Sequence, residues 1–86
     1  KIRKKLDKLD DKMLLIIKKR SLLVDQILSN KIRKNQIIDK KRIKKILKRI
    51  KIKSKRNKID PKITNRIWKN MIWSYIDYER RNFRKK

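Results

Sequence analysis

From Ile2 to Ile27 the apolar residues Ile2, Leu6, Leu9, Met13, Ile16, Ile17, Val24 and Ile27 fall at spacings of three and four, and neither Gly nor Pro interrupts them. That period places them on one stripe of an α-helix. The helix expected over residues 2–33 is roughly 50 Å long at 1.5 Å per residue. Two short helices of the same chain cannot cover a stripe of that length, so a second copy of the chain is expected to do so. With 86 residues the chain amounts to one small domain, residues 1–86, too small to bury a generous core alone.

One position in the stripe is not apolar. Arg20 has Ile16 and Ile17 one turn before it and Leu23 and Val24 one turn after it. Lys31, eleven residues on, projects from nearly the same face beside Ile27 and Leu28. A cation among apolar neighbours must reach water along its stem, find a carboxylate, or receive an anionic ligand.

The segment Arg33–Ile37 breaks the pattern. Asp39 then stands as the N-cap of a second helix carrying Ile43, Ile46, Leu47 and Ile50 and ending near Ile52 or Lys53. "KSKRNK" reads as a polar connection. In "IDPKI", Asp60 is the next cap and Pro61 the first helical position of a third helix. That helix carries Ile63, Ile67, Trp68, Met71, Ile72, Tyr75, Ile76 and Phe83. No alternating pattern suggests strands. The expected fold is all-α, a three-helix subunit (long, short, medium) in an intertwined homodimer.

Composition narrows the chemistry. The chain has neither Cys nor His nor Gly, which removes thiol nucleophiles, thiolate or imidazole metal sites, the commonest general base, and glycine-rich phosphate loops. No metal and no cofactor is expected. Arginine, lysine, carboxylates, hydroxyls and shape are left to do any catalysis, which suits a reaction needing little proton transfer and no covalent intermediate. The 32 Lys and Arg against 8 Asp and Glu give a net charge of +24, a field that attracts anions of every size. Lysine placed wherever solvent tolerates it, as in a low-G+C coding bias, accounts for such a charge without any partner. No apolar run approaches the roughly 20 residues of a membrane span, and the charged start has no signal-peptide core. A cytoplasmic location is expected, although a first residue Lys rather than Met leaves room for a leader or a larger parent chain.

Two further polar groups share apolar faces. Arg42, one turn after Asp39, is flanked by Ile38 and Ile46, and Glu79 is spaced three and four from Ile76, Tyr75 and Phe83. Singly, these read as a cap with an ion pair and as an acid paired with a lysine. Together with Arg20 and Lys31 they describe an apolar cavity walled by cations and holding one or two acids, suited to a small dianion with an apolar ring.

The stretches "IRKKLDKLDDKMLLIIKKRSLLV", "IIDKKRI" and "IDPKITNRIWKNMIWSYIDYE", in that order and with Arg20 seventeen residues after Arg3, resemble the all-helical chorismate mutases over nearly the whole chain. The resemblance implies a dimer with two active sites, each receiving an arginine from the partner, and a place in aromatic amino-acid biosynthesis. It implies that Arg3 is the partner-supplied arginine and Arg20 the same-subunit one, both gripping substrate carboxylates. Lys31 would contact the ether oxygen and a carboxylate, Asp39 and Arg42 would bind and orient substrate, and Glu79 falls where such enzymes carry Gln or Glu. The sequence departs from the family pattern at Ile43, where an acid commonly binds the substrate hydroxyl. It departs again at Tyr75, where a small hydroxyl residue is usual and Ser74 adjoins. The expected partner is chorismate, with no specific nucleic acid and no membrane. Isochorismate pyruvate lyase on the same scaffold and a non-catalytic basic nucleic-acid binder, with Trp68, Trp73, Tyr75 and Tyr78 as stacking residues, are the alternatives.

Overall fold

A computed structural model describes residues 1–30 and 38–82. Three helices account for nearly all of them: α1 Ile2–Asn30, α2 Lys40–Arg56 and α3 Pro61–Asn82. There is no strand among the described residues, so the all-α expectation holds. The chain divides into two compact units, one formed by α1 and the other containing α2 and α3. No helix among the described residues is long and apolar enough to cross a membrane.

The α1 unit follows from its uninterrupted 3–4 pattern. No residue of α1 is buried within the chain. Leu6, Leu9, Met13, Ile16, Leu23 and Ile27 all keep more than half of their surface in solvent. Its least exposed positions are Ser21, Val24 and Leu28, again three and four apart.

The α2–α3 unit starts at the expected cap. Asp39 has extended backbone angles, and its carboxylate accepts from the Arg42 N–H at 3.0 Å, satisfying one of the donors a helix start leaves open. This matters because Lys40, Lys41 and Arg42 crowd cations onto the positive end of the helix dipole. α3 begins as expected too, with Pro61 at its first position and the Asp60 carboxylate accepting from the Lys62 N–H at 2.9 Å.

Between them the structure departs from the sequence reading. α2 does not end at Ile52 or Lys53 but continues to Arg56, so most of the expected polar connection is helix. The helix closes in a Schellman motif: the Ile59 N–H reaches the Ser54 carbonyl at 2.8 Å and the Lys58 N–H reaches the Lys55 carbonyl at 3.2 Å. Lys58 takes the left-handed conformation at φ 57° that such a turn requires. Glycine normally occupies that position, and this chain has none.

The short turn brings α3 back along α2, and a buried pair of hydroxyls clasps them, Ser54 Oγ lying 2.7 Å from Thr64 Oγ1. Each hydroxyl has one proton to give. The Ser54 proton goes to the Ile50 carbonyl at 2.6 Å. Thr64 therefore donates to Ser54, because its other acceptor, the Pro61 carbonyl, is farther away at 3.3 Å. The stripe that α3 covers runs Thr64, Trp68, Met71, Ile72, Tyr75, Ile76 and Glu79. Ile63 and Ile67, expected on it, are exposed instead because Thr64 holds the buried place in the first turn.

Candidate active site

The residues singled out in sequence lie on or beside all three helices, and the α2–α3 unit carries five of those described: Asp39, Arg42, Ile43, Tyr75 and Glu79. Asp39 and Arg42 meet through the cap, which joins the carboxylate to the Arg42 backbone N–H and so fixes the root of the arginine side chain. Arg42 is exposed, and its neighbours Ile38 and Ile46 are half-buried, as is Ile43.

On α3, Tyr75 and Glu79 stand one turn apart on the covered face, beside Ile76. Tyr75 is half-buried, whereas Glu79 is buried to 8% exposure and Ile76 to 5%. Removing a carboxyl from water is costly unless protein groups replace the lost hydration. Among the described residues no buried side-chain polar atom lacks a hydrogen-bond partner, so the Glu79 carboxyl is held rather than stranded. Ser74, the small hydroxyl beside Tyr75, is exposed and donates to the Asn70 carbonyl of its own helix at 2.7 Å. Tyr75, not Ser74, therefore presents its side chain on the Glu79 face. Trp68, Tyr75 and Tyr78 are half-buried, while Trp73 is 51% exposed.

On α1, Arg3 and Arg20 are both exposed. Around Arg20, Ile16, Ile17 and Leu23 are exposed and Val24 is half-buried, so the apolar wall expected about this arginine is present as a face without being closed. The two arginines are separated by seventeen residues of continuous helix, roughly 26 Å along the axis and about 100° around it. Two side chains so placed do not converge on one small molecule. Lys31, the break at 33–37 and Phe83 lie outside the described residues.

Sequence reasoning missed the Ser54–Thr64 clasp, although a signal existed: Ser54 follows Ile50 by one turn and continues its face. It also passed over the solvent side of α2, where Lys and Arg take every exposed position except Ile52.

These features define an all-helical protein whose candidate binding residues project from helix faces: a cap-anchored Asp39–Arg42 pair, a buried and hydrogen-bonded acid on α3, and two arginines far apart on a long first helix. Residues 2–80 match the family model for chorismate mutase type II, and the chain belongs to that family. No curated protein and no solved structure matches it in the corresponding searches.

Proposed function

We propose that this chain is a chorismate mutase, an isomerase that converts chorismate to prephenate at a site made of residues from two copies of the chain. The observation that carries the reading is the family match, which spans every residue assigned to the site. The reaction is a unimolecular rearrangement in which a C–O bond breaks as a C–C bond forms, so no nucleophile is required. That requirement agrees with a chain lacking both Cys and His. The protein's task is to hold the enolpyruvyl group over the ring and to stabilise charge that develops on the ether oxygen.

In this reading Arg20 of one copy and Arg3 of the other grip the substrate carboxylates as planar forks. Their separation along α1 supports taking them from different copies. The apolar stripe of α1, with no residue buried in the chain, supports a second copy as its cover. Lys31 is assigned to the ether oxygen. Asp39 and Arg42 orient the substrate from the start of α2, and Glu79 is assigned to the ether-oxygen side of the site. Ile43 and Tyr75 line the ring-hydroxyl end, where an apolar side chain and a phenol take the place of the family's usual acid and small hydroxyl.

The test is the ultraviolet assay of chorismate loss on purified protein, with prephenate as product and isochorismate as a second substrate. Chorismate consumption with prephenate formation is expected. Pyruvate release from isochorismate with chorismate untouched would reassign the site to the lyase, and inertness toward both would overturn an enzymatic role.

A further inference from the structure

The solvent side of α2 is unlike that of the other helices. Within Lys40–Arg56 there are eleven Lys or Arg and no acid. The half-buried or buried positions are Ile43, Ile46, Leu47, Ile50 and Ser54. All exposed positions but Ile52 are cationic. At 100° per residue these cations sweep an arc of roughly 220° opposite the apolar face.

A general coding preference for lysine spreads charge along a whole chain. Here α1 mixes its cations with Asp7, Asp10, Asp11 and Asp25, and α3 carries Asp77 and Glu79 among only five cations. Like charges one turn apart, such as Lys44 and Lys48, Lys45 and Arg49, Arg49 and Lys53, and Lys51 and Lys55, repel one another and weaken the helix. A polyanion laid along the arc relieves that repulsion.

We propose that the outer face of α2 is a docking surface for the phosphate backbone of double-helical DNA, bound without regard to sequence. Three properties of the face select this partner. α2 has no aromatic side chain on which unpaired bases could stack, which disfavours a single strand. Its apolar face is turned onto α3, leaving Ile52 as the one exposed apolar residue of the helix, too little to insert into a lipid surface. A helix with cations on both flanks of a wide arc suits the accessible major groove of B-form DNA with phosphates on either side, whereas the corresponding groove of A-form RNA is deep and narrow.

The experiment titrates the purified full chain with a 20-base-pair DNA duplex by fluorescence anisotropy at several salt concentrations. With about six phosphates neutralised, the log–log salt slope is expected near −5, so affinity drops about a thousandfold between 50 and 200 mM salt. Substituting Lys45→Gln, Arg49→Gln and Lys53→Gln together should make the slope shallower by about 3. The control triple Lys4→Gln, Lys8→Gln and Lys12→Gln on α1 has the same net charge and should leave the slope unchanged. Equal loss in both triples would assign the binding to the whole protein's field and overturn the proposal. Tighter binding to anionic phospholipid vesicles or to a single strand than to the duplex would overturn it as well. Circular dichroism checks that the α2 triple keeps its helices. A second triple, Lys44, Lys48 and Lys55 to Gln, repeats the test on the same arc, and chorismate turnover is expected to be unaffected in all three proteins.

Discussion

The separation of Arg3 and Arg20 leads to a complementation experiment with a definite number. In the proposed site Arg3→Ala and Arg20→Ala each remove a charge-assisted contact, and each protein alone should lose about a hundredfold or more in kcat/KM. Seventeen residues of continuous helix hold the two arginines roughly 26 Å apart, so the proposed site draws them from two copies. When equal amounts of the two variants are unfolded together and refolded, half of the dimers are mixed. In a mixed dimer one site receives both arginines and the other receives neither, so about one quarter of wild-type activity should return. The assay is chorismate consumption, read against each variant refolded alone. Recovery that stays at the level of the separate variants, in a sample shown by mass spectrometry to contain mixed dimers, would refute the two-copy site. Near-wild-type turnover by either variant alone would remove that arginine from the mechanism.

Other consequences concern both stability and the buried acid of α3. Lys58→Gly should raise stability by about 1 kcal/mol by removing the steric cost of φ 57° at the turn, read as a higher midpoint in thermal melts. Thr64→Val deletes the proton given to Ser54 at the same side-chain volume and should cost about 1 kcal/mol; a neutral result would show that the clasp is replaceable by packing. Glu79→Ala removes the buried carboxyl from the covered face of α3 and should lower kcat/KM for chorismate about tenfold or more, whereas Glu79→Gln, which keeps a hydrogen-bonding side chain of the same length, should retain more of it. Unchanged turnover in Glu79→Ala would exclude the role.

What could be read in the sequence was what local chemistry determines. Asp39 and Asp60–Pro61 announce helix starts because capping depends on the cap residue and its next three neighbours. The long first helix is equally plain from its spacing. The end of α2 was hidden because its stop signal is usually glycine and is here Lys58, and because Ser54 looks like a loop residue although it is buried against Thr64. The same hydroxyl pair explains the outward turn of Ile63 and Ile67, since hydrophobicity alone does not rank a satisfied threonine above isoleucine for a buried place. In the candidate site, the burial of Glu79 followed from its spacing to Tyr75 and Ile76. The roles given to Arg3 and Lys31 came only from resemblance, because nothing in local spacing says which distant groups meet across subunits.

An α1 that buries none of its own residues has a bearing on how this protein behaves when scarce. With a second copy as the proposed cover, ordering the long helix and completing the catalytic pocket become one bimolecular event. Dilution should then lower turnover per molecule and thermal midpoint in step, and a cell that doubles its supply of the chain near the association threshold gains more than twice the flux.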